Sequence, residues 1–269
     1  MSDPVPAITE TAATGETAAI FADIRQVLGV DVVNLIWRHL ATIDEALPWA
    51  WAVLRPFYVD GSVRHEAMAL HGELALPPMR TIPPKVFAGL GLRPIDLTAI
   101  RDVLAAYDAA VALSALRARL DGHAHQDVLP SEPRPVPAAP RTKLPRLLDL
   151  SDMQAETTAL VMALNGFGTR RSDAVLASMY RHLAHWPSYL SLAWLLLAPL
   201  DADGRLSAAI QQAERAALAR ADRLPVRLVG SAALPPALAA KISAAIEPFV
   251  GDVIVKMLVI CACLRRVTA

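Results

Sequence analysis

Residues 33–51 read VNLIWRHLATIDEALPWAW, and residues 176–194 read LASMYRHLAHWPSYLSLAW. Laid on each other without a gap, at an offset of 143, the two stretches share seven of 19 residues. Arg38, His39, Leu40, Ala41, Leu47, Ala50 and Trp51 match Arg181, His182, Leu183, Ala184, Leu190, Ala193 and Trp194, and Trp37 meets Tyr180. Four of the identities are consecutive and two of those are polar, which chance rarely supplies. A weaker pair, YDAAVALSALRARL (107–120) and GDVIVKMLVICACL (251–264), lies further out. A period this long points to duplication of one unit of roughly 120 residues, not to a solenoid.

Between the copies lies DGHAHQDVLPSEPRPVPAAPRTKLPR (121–146), with prolines at 130, 133, 135, 137, 140 and 145. Each proline fixes φ and removes a backbone donor, so neither a helix nor a central strand is expected there. The reading is a first repeat over 1–120, an extended connector over 121–146 and a second repeat over 147–269.

Both repeats read as helical. Ala, Leu and Val dominate the apolar content, which favours helix. Alternating strand patterns with hairpin dipeptides are missing. Expected helix cores are 23–28, 32–41, 46–53, 63–74, 84–88, 94–120, 155–165, 172–184, 188–197, 204–221, 235–246 and 250–265. Pro94 with Asp96, and Ser172 with Asp173, are start signals.

Composition narrows the function. The 269 residues carry 26 basic and 26 acidic side chains, so no net field recruits nucleic acid or anionic lipid. At 54% hydrophobic the chain is too apolar for disorder, and two cysteines cannot make a disulfide framework. The most apolar runs, 188–198 and 253–264, fall short of the ~20 residues of a bilayer span, and residues 1–24 hold no Lys or Arg for a leader. A cytoplasmic protein with a large core, not a membrane protein, is expected.

The order of these segments resembles the group I 2-haloacid dehalogenases, the DehI family. The likeness is carried by FADIRQVLGV (21–30), RHLAT (38–42), LPWAW (47–51), the connector, LAHWPSYL (183–190) and EPFVGDVIVKMLVICACL (247–264). It implies an all-α fold of two pseudo-repeats, a homodimer, a small-molecule ligand of which a short carboxylic acid is one option, and no metal or cofactor. It also implies hydrolysis of 2-haloalkanoic acids by water that an Asp activates, at a site between the repeats.

Carried over residue by residue, that site changes character. The family's aspartate follows a serine, seven residues before the Trp of a Trp-Pro pair. Here the pair is Trp186-Pro187, the serine is Ser178, and the aspartate position holds Met179. A thioether cannot take a proton from water. The family's aromatic pair in the first repeat falls on Val32 and Leu35, and a late tyrosine falls on Ile246. Its asparagine, expected after about Tyr107, has no counterpart, since Asn34 and Asn165 are the only two Asn. Val32, Leu35, Ser178, Met179 and Ile246 are therefore the expected walls of a nearly apolar pocket. That suits a hydrophobic small molecule better than an anion.

Two carboxylates are candidate replacements for the base. Asp173 lies 13 residues before Trp186, which on a continuous helix is a net turn of about 220°, against about −20° for the family's seven. It would face the wrong way, and a capping role beside Ser172 is preferred. Asp252 lies four residues before Lys256 on an apolar helix, an i,i+4 pair. Its alternatives are helix pairing and a pocket role. Arg38 and Arg181 could clamp a carboxylate, or serve the repeat interface. His182 with His185, and His123 with His125, are read as structural or solvated, not as metal ligands. Cys261 and Cys263 are read as buried thiols. Gly89-Leu90-Gly91 and Gly166-Phe167-Gly168 lack the context of a nucleotide loop.

Overall fold

The computed structural model describes residues 5–106, 110–120, 144–171, 174–224 and 234–268. Among the described residues the regular structure is all helical. The first half holds α1 (Gly15–Leu28), α2 (Leu35–Leu40), α3 (Ala46–Val59), α4 (Ser62–Glu73), α5 (Pro84–Gly89), α6 (Pro94–Ala105) and α7 (Ala110–Leu120). The second holds α8 (Ala155–Gly166), α9 (Ser178–Leu183), α10 (Pro187–Ala202), α11 (Arg205–Ala221), α12 (Pro236–Pro248) and α13 (Ile254–Val267). A π-helical turn, Phe249–Val253, joins α12 to α13.

Local chemistry sets the ends. Gly29 closes α1 at φ 68°, turning its N–H back to the Arg25 carbonyl, a left-handed geometry that suits glycine. Proline stands in the first turn of α5, α6, α10 and α12, where a missing N–H costs nothing. At α6 the Asp96 carboxylate also accepts the Arg93 N–H at 2.9 Å. Pro56 and Pro199 lie inside α3 and α10.

The offset of 143 residues recurs in these bounds. It separates the first and last residues of α2 from those of α9, the starts of α4 and α11, and the two internal prolines. It also separates Gly61 (φ 81°) from Gly204 (φ 79°), each the residue before its helix.

The packing crosses between the halves. α6 packs on α9 and α13, while α12 packs on α2 and α7. α7 lies along α11, which also touches α4 and α13. The core is continuous, from Phe21 and Ile24 of α1 to Val267 of α13. No described helix is long and apolar enough to cross a membrane.

Three expected helices are shorter than read, among them 32–41, which is helical only over Leu35–Leu40. The run 94–120 is divided: α6 stops at Ala105, where the Ala106 N–H tightens onto the Val103 carbonyl at 3.2 Å. The run 172–184 is helical only from Ser178. Ahead of α9 the chain is non-helical over 174–177, because the Asn165 side chain competes for its backbone. Asn165 Oδ1 accepts the Ala177 N–H at 3.0 Å, and Asn165 Nδ2 donates to the Val175 carbonyl at 3.4 Å. The continuous-helix angle drawn for Asp173 therefore does not apply, and Asp173 itself lies outside the described residues.

Candidate functional site

A cleft of about 80 Å³ opens where α2, α9, the π-turn and α13 meet. Asn34, Leu35 and Ile36 line it from the start of α2, and Val175, Leu176, Ala177 and Ser178 from the start of α9. Phe249, Val253, Ile254 and Met257 close it from the π-turn and α13. Among the described lining residues, Asn34 and Ser178 alone have polar side chains, and none is charged.

The walls are held from behind. Glu10 accepts the Val33 N–H at 2.8 Å and pairs with Arg25. Arg38 Nε donates to the Val33 carbonyl at 3.2 Å. On the other side Asn165 clamps Val175 and Ala177, as above. Lys256, fully buried, donates to the Asn165 carbonyl at 2.8 Å and to Thr169 Oγ1 at 3.0 Å, and lies 3.4 Å from Asp252. The Thr169 hydroxyl donates in turn to Asp252 Oδ2 at 2.9 Å, and the Arg170 N–H reaches Oδ1 at 3.1 Å. Burial pushes the Lys256 ammonium below its ordinary pKa, against the pull of Asp252.

The expected site residues distribute as follows. Leu35 and Ser178 line the cleft. Val32 is 41% exposed and is not among the lining residues. Met179 and Ile246 are completely buried in the core, again outside the lining set. Asp252 is buried behind the wall in the network with Lys256.

Asn34, the π-turn and Met257 were missed as walls. The one sequence signal of the π-turn and Met257 is the apolar pattern of 249–264, which marks a buried face and not a gap, and Asn34 has only its place beside Leu35.

The remaining candidates are structural in their contacts. Arg181 Nε donates to the Leu148 carbonyl at 2.7 Å and its Nη2 pairs with Asp149 at 2.6 Å. His182 Nδ1 donates to the Pro145 carbonyl at 2.8 Å, and His185 Nε2 to that of Arg146 at 2.7 Å. Three side chains at α9 thus fasten residues 145–149, the end of the expected connector. Burial lowers the His182 pKa to about 4. His39 makes the same kind of bond, Nδ1 to the Pro6 carbonyl at 2.6 Å. Cys261 and Cys263 are buried and not disulfide-bonded, and burial pushes the Cys263 thiol up to about 11. His123 and His125 lie outside the described residues. Among the described residues no three His, Cys, Asp or Glu are grouped to hold a metal. Among the described residues the buried Tyr180 hydroxyl finds no hydrogen-bond partner, and desolvation drives its pKa well above the usual value.

A second, more open groove of about 430 Å³ runs between residues 78–83 and α10. Its Arg205 is already paired with Asp203 at 2.6 Å.

Compared with solved structures, the fold is that of D-2-haloacid dehalogenases. One is a complex of a D-2-haloacid dehalogenase mutant with D-2-CPA: TM-score 0.76 and 19% identity, covering 99% of this chain and 98% of that one. A second is a D-2-haloacid dehalogenase complex with L-LA: TM-score 0.75 and 19% identity, covering 98% and 96%. A third is a mutant of such an enzyme without a named ligand: TM-score 0.77 and 18% identity, covering 100% and 97%. No family model matches the chain. No curated protein matches it either.

Proposed function

We propose that this chain is a dehalogenase-fold protein that binds a small organic molecule in the α2–α9 cleft and has lost most or all hydrolysis of 2-haloacids. One observation carries the reading: no described residue lining the cleft is a carboxylate or a histidine. Water attack on a carbon–halogen bond needs a base within hydrogen-bond reach of that water. Met179, at the position where the resemblance puts the aspartate, is a thioether enclosed in the core. Asp252 is held by a hydroxyl, an amide N–H and an ammonium, and would have to leave all three to reach the cleft.

The recurrence of the 143-residue offset in helix bounds and in crossed packing supports two copies of one unit. Trp194 and Leu195, exposed on α10, support a homodimer. Light scattering at micromolar concentration would give twice the chain mass if so, and the chain mass if not.

The test of function is chloride release from D- and L-2-chloropropionate by purified protein, beside Met179→Asp. Neither is expected to release chloride above the buffer rate, the variant because residue 179 is not at the cleft wall. A melting curve shows whether the variant is folded. Release by the wild type overturns the reading, and Asp173→Asn and Asp252→Asn then identify the base. Release by the folded variant alone means a site that kept its shape and lost only its base.

A further inference from the structure

Resting on the reading that this cleft holds a small molecule, we infer that its ligand is neutral. It is a mostly apolar compound of a few carbons with one hydrogen-bonding group, seated against Asn34 and Ser178, and it is preferred over a carboxylate anion of the same shape. Size sets the first limit. About 80 Å³ is roughly half of the ~150 Å³ cavity that admits benzene. That is room for a short branched chain.

Charge sets the second limit. A carboxylate entering an apolar cleft loses hydration and must be repaid by a cation or several donors. Among the described residues, four cations on or beside these elements are committed elsewhere. Arg38 holds the Val33 carbonyl, and Arg181 holds Leu148 and Asp149. Lys256 spends three donors on Asn165, Thr169 and Asp252. Arg170 bonds Glu214 at 2.9 Å and the Gly251 carbonyl at 2.7 Å. None of the four is among the lining residues.

The polar pair suits a neutral head. A side-chain amide offers two donors and an acceptor, and a hydroxyl offers one donor and its lone pairs. Asn34 is not spent on its helix, since its side chain makes no cap to α2. A ligand amide or alcohol carries the donor and acceptor that such side chains bind. Nine apolar residues are left for its hydrocarbon.

Isobutyramide and isobutyrate have the same shape and differ in charge, so they isolate the claim. The readout is the Met257 methyl signal in [methyl-¹³C]methionine-labelled full-length protein, assigned with Met257→Leu. At pH 7.5 isobutyramide should shift it saturably, and isobutyrate should bind at least tenfold more weakly. Asn34→Leu/Ser178→Ala should weaken the amide at least fivefold while xenon still shifts Met257, which shows an intact cleft. Isobutyrate binding as well as the amide, or the double variant keeping full amide affinity, overturns the neutral-ligand inference and leaves the cleft standing. So does a cleft that takes xenon and no amide. A Met257 signal unmoved by all three probes overturns the cleft reading itself.

Discussion

His182 is one of the seven residues shared by the two copies of the opening motif, and its environment makes it a stability determinant. It is 3% exposed, donates from Nδ1 to Pro145, and its pKa is lowered to about 4 by burial, from the 6.5 of a free histidine. The unfolded chain therefore takes up a proton near pH 6.5, and the folded chain only near 4. Stability is full above pH 6.5, falls as pH drops through that window, and levels off below 4. The shift corresponds to a loss of about 3 kcal/mol. Asp23, Glu73, Asp96, Asp152 and Asp203, whose pKa values are lowered by arginine partners, lose their contributions mostly below pH 4.5. The two effects therefore separate. Urea titrations at pH 7, 5.5 and 4.5 should show the decline, and His182→Gln, which keeps a donor toward Pro145, should flatten it. An equally steep decline in the variant would assign the window to other groups.

Among elements, the join of α8, α9, the π-turn and α13 is where polar groups decide the backbone. Lys256 on α13 and Asp252 on the π-turn meet the C-terminal end of α8 and the residues after it through Asn165, Thr169 and Arg170. Breaking a buried pair on one side leaves an uncompensated charge, at about 3–5 kcal/mol, whereas removing both partners costs less than the sum. Lys256→Met is thus expected to lower unfolding free energy by several kcal/mol. In Lys256→Met/Asp252→Leu the two effects should fall short of additivity by about 1–3 kcal/mol. Strict additivity in a double-mutant cycle by urea unfolding would rule out the coupling. The same join explains what the sequence could and could not disclose. Periodicity and proline placement were enough for α4, α8 and α11, because their signals are local, whereas α3 and α10 run six and five residues past their expected ends, through Pro56 and Pro199. Residues 174–177 read as helix because Ala, Val and Leu favour it. The side chain that prevents it, Asn165, sits ten residues and a turn away. Little of the cleft was legible: Leu35 and Ser178 follow from the family resemblance, which also pointed to Val32, Met179 and Ile246 outside the lining, whereas Phe249 and Met257 reach it through a π-turn that no local pattern announces.

At the scale of the whole molecule, the halves are bound to each other through more than the connector. Helices α6 and α12 each pack on helices of the opposite half, and α7 lies along α11. Arg220 of α11 adds a polar tie. It is 9% exposed and reaches Glu66 at 3.0 Å, with a second bidentate contact to Glu73, both on α4. Glu66 is nearly enclosed, while half of the Glu73 side chain meets solvent. The Glu66 contact therefore supplies most of the value, and solvent screens the other. Arg220→Ala should cost about 1–3 kcal/mol, because it strands the Glu66 carboxylate in a shielded position. That loss should appear as a lower midpoint of one cooperative transition. A core shared across the halves couples the unfolding of one half to that of the other. Calorimetry of the wild type and the variant decides the matter. One peak that moves down intact is expected. Two resolved peaks, with only one displaced by the substitution, would mean that each half unfolds on its own core and that the crossed packing contributes little.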